Sequence, residues 1–253
     1  MKNAINLLFL LVFVFSCKNK DYNKEYYPNG NIKLKVSINE NGDKHGVYEE
    51  YFVTGELKTR MNYYDGKVLD TIISYFKNGR IREKGLVNDI GLKINWWSSY
   101  DSLGNLKNKK EYWIINDSMH VNQNIYYKIN GIVDNDRSSF FTLEVPDTIR
   151  MGRNIGKLKY NSNFNPENRE ILGIVIDNEY SEGQIKKDSF GNGTDSPSFG
   201  IFAHKSGLKI IKGHTVETLV FNNNKKADST VIKIAKHKKY FKKEVYVKDT
   251  ISK

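Results

Sequence analysis

Cysteine is almost missing from this chain. Cys17 is the only one in 253 residues, so no intramolecular disulfide can form and no set of thiolates can hold zinc. Proline is scarce, at four residues, and the hydrophobic fraction is 39%, which together exclude a Pro-rich or charge-dominated disordered chain. No apolar run reaches the roughly 20 residues that a membrane-spanning helix needs. Acidic residues are in deficit, 29 against 40 Lys and Arg, giving a net charge of +11. No segment shows a sustained helical period with caps. The five histidines (His45, His120, His204, His214 and His237) never fall at the short spacing of a helical metal pair.

What is present begins with an address. After Met1-Lys2-Asn3 the chain is apolar from Ala4 to Phe15, broken only by Asn6, which is the length of a signal-peptide core. Ser16-Cys17 and a polar stretch follow. Val14, Ser16 and Cys17 resemble the lipobox of bacterial lipoprotein signals, although Phe15 stands where a small residue is usual. The resemblance implies a signal over residues 1–16, lipidation of Cys17 and a tether over 17–23. Removing residues 1–16 takes away Lys2 and leaves a charge of +10. Two acyl chains, at about 0.8 kcal/mol per buried CH₂, suffice for stable anchoring. Lys18 follows the Cys where an Asp would signal inner-membrane retention, so the expected location is the cell envelope, at the outer membrane.

A repeat comes next. Four segments align, beginning at Tyr26-Tyr27-Pro28-Asn29-Gly30, Tyr51-Phe52-Val53-Thr54-Gly55, Tyr75-Phe76-Lys77-Asn78-Gly79 and Tyr100-Asp101-Ser102-Leu103-Gly104. Each continues with a polar residue, Ile or Leu, and a basic residue. Gly42, Gly66 and Gly91 lie between, so the series steps by about 12 residues. Asn-Gly pairs at 29–30 and 78–79 predict positive φ and tight hairpin turns. Alternating stretches such as Ile32-Lys33-Leu34-Lys35-Val36 predict the strands. Such hairpins bury their apolar faces only by stacking on one another, with the Tyr and Ile/Leu positions packed as a ladder. These residues resemble the MORN-like repeats of the bacterial YwqK antitoxin family over residues 24–115. Asn41-Gly42-Asp43-Lys44-His45-Gly46-Val47-Tyr48 fits the second half of the unit well. The resemblance implies a scaffold or binding surface.

The pattern fades after Lys107, with a last half-unit through Tyr112-Trp113-Ile114-Ile115 to a turn at Asn116-Asp117. Residues 119–253 carry short strand-like runs separated by Asn-, Asp- and Gly-rich turns, which predict a β-sandwich-like domain. The expected fold is therefore all-β: a stacked β-hairpin array followed by a sandwich-like domain. The loop Asp188–Asp195 lacks the ordered ligand positions and closing Glu of a calcium loop. His214 and Glu217 fall on opposite faces if they lie on one strand. No catalytic, cofactor or metal constellation stands out.

The strongest remaining signal is charge. Residues 225–253 hold ten Lys against three acids. Lys236, Lys238, Lys239, Lys242 and Lys243 surround Tyr240 and Phe241 and are the candidate anion-binding residues. In an exported protein the matching anions are lipid headgroups, lipopolysaccharide or acidic polysaccharide rather than nucleic acid. The plainer reading is a hairpin edge guarded by Lys. The sequence thus favours a non-enzymatic envelope protein that binds through its repeats, held to the membrane by lipid and engaging a protein partner or an anionic envelope polymer. Polysaccharide binding or processing by the second domain, and an antitoxin-like role beside a secreted toxin, are the alternatives.

Overall fold

The computed structural model describes residues 22–69, 71–164, 169–191, 193–223 and 231–249. The expected signal, Cys17 and most of the tether lie outside these residues. Everything regular among the described residues is strand. The first ten strands are β1 (Tyr22–Tyr26), β2 (Ile32–Ile38), β3 (Lys44–Tyr51), β4 (Leu57–Tyr64), β5 (Lys67–Val68), β6 (Ile72–Tyr75), β7 (Ile81–Val87), β8 (Lys93–Tyr100), β9 (Leu106–Ile115) and β10 (Ser118–Tyr126). They form one antiparallel sheet in chain order, with β5 as a short spur on β4. This sheet runs past Ile115, where the sequence pattern had placed its end, because β10 pairs with β9.

The register explains the repeat. Tyr26, Tyr51, Tyr75 and Tyr100 pair across their hairpins with Ile32, Leu57, Ile81 and Leu106, each just after a register shift. The turns share one bonding scheme. Phe52 N–H donates to Glu56 C=O at 2.8 Å, and Gly55 N–H to Phe52 C=O at 2.9 Å; the pattern recurs at Tyr27, Asn39, Phe76, Asn88, Asp101 and Lys128. This is a type I turn closed by a left-handed residue, a bulged hairpin. Gly30, Gly42, Gly55, Gly79, Gly91 and Gly104 all have φ between 80° and 100° and supply that residue. Asn29 and Asn78 do not share the positive φ expected of a two-residue Asn-Gly turn; their side chains instead brace the turn backbone, as in the 3.2 Å bond from Asn31 N–H to Asn29 Oδ1. In this sheet, two-residue turns with positive φ at both positions stand where the pattern weakens, at Asp65-Gly66 (φ 43° and 79°) and Asn116-Asp117 (φ 48° and 58°). Successive turns on one side of the sheet are bonded together: Asn31 Nδ2 to Val53 C=O at 2.9 Å, and Asn78 Nδ2 to Ser102 C=O at 2.8 Å.

The sheet is thinly cored. Its Tyr and Ile/Leu pairs are half-buried, apart from exposed Tyr26, and only Val36 and Trp97 are deeply buried apolar residues in it. Val36 faces Tyr48. Two repeats on, the same small-against-large pairing is more extreme: Gly85 lies under Trp97, and a Cβ on Gly85 would stand 2.4 Å from the indole. Trp97 Nε1 donates to Leu86 C=O at 2.7 Å, and the Lys93 ammonium lies 4.0 Å from the ring centroid. Gly85→Ala is expected to cost about 1–3 kcal/mol through overpacking, read as a lower urea midpoint accompanied by a red shift of tryptophan emission. An unchanged midpoint would show that the indole yields at no cost.

The remaining strands are β11 (Phe140–Glu144), β12 (Thr148–Arg150), β13 (Gly152–Asn161), β14 (Arg169–Ser181), β15 (Gln184–Phe190), β16 (Ser198–Ala203), β17 (Gly207–Asn223) and β18 (Val231–Lys248). They make a three-stranded sheet, β11-β13-β16, and a five-stranded sheet, β12-β18-β17-β14-β15. One buried cluster draws Phe141, Leu158 and Phe199 from the first and Ile174, Ile211, Phe241 and Val247 from the second. The apolar stretches at 208–211 and 215–221 belong to one strand, β17, because the polar residues between them (Lys212, Gly213, His214) sit in an unbroken ladder with β18. β12 pairs in parallel with the end of β18.

Edges are closed by carboxamides. Asn178 Nδ2 donates to Gly200 C=O at 3.1 Å and its Oδ1 accepts from Phe202 N–H at 2.9 Å, joining β14 to β16. Asn122 does the same to Tyr240, donating to its C=O at 2.8 Å and accepting from its N–H at 2.6 Å, which ties the ten-stranded sheet to β18. Each amide presents one donor and one acceptor side by side, as a neighbouring strand would.

Candidate functional site

The five lysines of the expected anion site do not form one patch. On β18 the strand period of two sends successive side chains to opposite faces. Lys236, Lys238 and Lys242 are exposed on the outer face, with half-buried Tyr240 among them. Lys239 is 1% exposed and points inward. Lys243 pairs with Asp147 at 2.9 Å. Lys239 is therefore withdrawn from the surface site, and Lys243 is turned to the other face and engaged with Asp147; three lysines remain on one face.

Lys239 enters an interior polar cluster instead. Register places Glu217 of β17 opposite His237 of β18. Glu217 is 0% exposed and accepts from the Tyr160 hydroxyl at 3.1 Å. His237 Nδ1 lies 3.2 Å from Lys239 Nζ and 3.5 Å from Glu217 Oε2. It can serve one at a time: as acceptor from the ammonium when neutral, or as donor to the carboxylate when protonated. The Lys239 ammonium also lies 5.2 Å from the Tyr160 ring centroid. Burial drives Lys239 down to about 8, against the opposing pull of Glu217. Burial pushes Glu217 up, but hydrogen bonds from His237, Ser162 and Tyr160, with the Lys239 charge, outweigh it and hold the carboxyl below its usual range. The cluster joins the two sheets of the second half and has the character of a core ion pair. Sequence reading missed it because Glu217, His237 and Lys239 meet only through the β17–β18 register. Burial of Thr215 and Glu217 places β17's odd-numbered positions inward, so His214 faces out beside Tyr240, as the strand period required.

The seven turn glycines sit at the two ends of the ten-stranded sheet. Five of them, with Gly30 as the example, have open space where a Cβ would be, as does Gly66; only Gly104 has a neighbour, the Arg80 side chain at 3.9 Å. They shape the turns and leave the tips free. Along one end those tips carry aliphatic residues exposed to solvent: Val53 at 48%, Leu103 at 71% and, at a further turn the sequence pattern did not include, Ile129 at 92%. Ile90, at 76%, occupies a tip at the other end. Val53, Leu103 and Ile129 occupy three of the five turns on their side; Val53 and Ile129 stand at the second turn position and Leu103 at the third, and Pro28-Asn29 and Lys77-Asn78 form the other two. Behind them the sheet offers half-buried aromatic residues, including Tyr48 and Tyr63 with the Lys44 ammonium between 5.1 and 5.5 Å of both rings.

Asp188 does not open toward a cation. Its Oδ2 accepts from Tyr180 at 2.5 Å and from Asn178 at 2.8 Å. No group of three or more His, Cys, Asp or Glu able to hold a metal ion occurs among the described residues. No helix there is long and apolar enough to cross a membrane. Compared with known proteins, the chain matches no family model and no curated protein.

Proposed function

We propose that this chain is a lipid-anchored protein of the bacterial cell envelope, held at the outer membrane through Cys17, and that it works as a non-enzymatic interaction scaffold. In this reading residues 24–115 are a MORN-like array that presents the binding surface, and residues 119–253 are a sandwich-like module behind it. The observation that carries the scaffold reading is the rim of exposed aliphatic tips, Val53, Leu103 and Ile129, carried on a repeated bulged turn. The thin core supports it too, because a sheet with so few deeply buried residues leaves both faces for contact. The anchor rests on the lipobox resemblance at Val14, Ser16 and Cys17.

Two measurements test the halves separately. Cells fed a radiolabelled fatty acid should label the wild-type chain and leave Cys17→Ala unlabelled; equal labelling would remove the anchor. Gentle crosslinking in native cells, followed by mass spectrometry, should recover a reproducible partner. Recovery should fall about tenfold with Leu103→Asp, since a buried charge replaces an apolar contact. A partner retained fully by Val53→Asp and Leu103→Asp variants would place the contact elsewhere.

A further inference from the structure

A cleft lies where the outer face of β13 and β16 meets the β14–β15 hairpin, lined by no residue of the ten-stranded sheet. Its volume is 510 Å³. The floor is aromatic: Tyr180 and Phe202 stack with centroids 4.8 Å apart and planes 28° from parallel. Phe190 lies against Gly200, where a Cβ would come within 3.2 Å of the ring, so the absent side chain makes room for the phenyl group. Ile155, 72% exposed, forms a wall. Exposure of that much aromatic and aliphatic surface in a concavity, with a few polar groups converging on it, is the usual build of a ligand site.

The polar groups narrow the ligand class. Asp188 is fixed by its bonds from Tyr180 and Asn178 to Oδ2, and among the described residues its Oδ1 is approached by Lys186 at 3.7 Å. A carboxylate held this way is an acceptor for hydroxyl groups. Arg153 stands at the rim, on the face it shares with Ile155, and pairs with no carboxylate among the described residues. A planar guanidinium with its fork free matches a carboxylate in two-point contact. Lys157, on the same face of β13, and Lys186, on the Asp188 face of β15, add positive charge around the cleft. An organic cation is disfavoured by this surrounding charge. A ring with an apolar C–H face, hydroxyls and one carboxylate satisfies every feature.

We propose that this cleft binds an acidic saccharide: a sugar ring laid against Tyr180, Phe202 and Phe190, with hydroxyls donated to Asp188 and its carboxylate on Arg153. The site is separate from the scaffold rim and stands or falls without it. The test is calorimetric titration of the full chain, in detergent micelles, with tetragalacturonate and with a glucuronate-containing hyaluronan tetrasaccharide. At least one should bind saturably at one site. Methyl-esterified tetragalacturonate or carboxyl-reduced hyaluronan tetrasaccharide, respectively, should then bind about tenfold more weakly, as should Arg153→Ala and Tyr180→Ala. Tyr180→Phe, which keeps the ring, should stay within about threefold, and Lys236→Ala/Lys238→Ala, on the remote basic face, should match the wild type. The proposal is overturned if neither oligosaccharide binds, if the neutral counterpart binds as well as the acid, or if binding survives both Arg153→Ala and Tyr180→Ala.

Discussion

Gly213→Ala should destabilise the second half of the chain by about 3 kcal/mol, near the top of the overpacking range. A Cβ at this position would stand 2.4 Å from the Val175 carbonyl oxygen and 2.6 Å from Phe241 Cζ. The carbonyl belongs to a neighbouring strand and cannot turn aside, and Phe241 is 4% exposed in the shared core. Both would have to move together. Gly173→Ala on the adjacent strand is the control, because its nearest neighbours, two backbone oxygens, lie at 3.8 and 3.9 Å, ordinary contact. Urea denaturation should give a clear fall in midpoint for the first and a small change for the second. Equal midpoints would mean that β14 and β17 can separate at that point without loss.

The second large effect is a rise in stability with pH. Lys239 has an ordinary pKa of 10.5 when unfolded and about 8 in the folded chain, lowered by burial. Between those values the unfolded chain holds the proton and the folded chain does not, so stability increases as pH climbs through that window. Below pH 8 both states are protonated and the cost of burying the ammonium is present in full. The slope approaches 1.4 kcal/mol per pH unit, or about 2 kcal/mol between pH 8 and 10. The groups facing Lys239 are Glu217 from β17, His237 two residues along β18 and Tyr160 from β13. Lys209 is lowered by burial as well and adds a rise of the same sign. Above pH 10 the trend should turn, because burial pushes Tyr48 and Tyr51 up to about 12 and unfolding then releases their protons first. Urea midpoints at pH 7.5 and 9.5 test this. Lys239→Met should leave only the Lys209 part of the rise; a slope identical to wild type would show that Lys239 titrates normally.

These two predictions mark what the sequence could and could not reveal. The turn glycines announce themselves by spacing, because a chain that reverses every dozen residues needs a left-handed residue at each reversal, and all seven proved to have positive φ. The Tyr and Ile/Leu positions were legible for the same reason: they are cross-strand partners on either side of each turn. Gly85, Gly156 and Gly213 carry no such mark. They are glycines because Trp97, Phe199 and Phe241 occupy the space above them, a fact of packing between strands that no local pattern records. The lysine run misled in a related way. Read as a string, Lys236 to Lys243 is a patch; threaded through a strand, it is two faces and an interior. The cleft at Tyr180 was beyond reach because its residues come from four strands and none forms a local motif.

The chain-order meander of the first sheet also fixes how it would answer a mechanical load. Each strand is bonded to the one before and after it, and β1 lies at the open edge, entered at Tyr22, which pairs with Ser37 far from the turn. A pull on the N-terminal side concentrates on that single outermost pair rather than sharing the force along the whole strand. β1 therefore peels bond by bond, then β2, each hairpin yielding length at modest force and able to re-form against the sheet that remains. Under the proposed anchor at Cys17, such a sheet would be a shock absorber in series with the firmer two-sheet core beyond it.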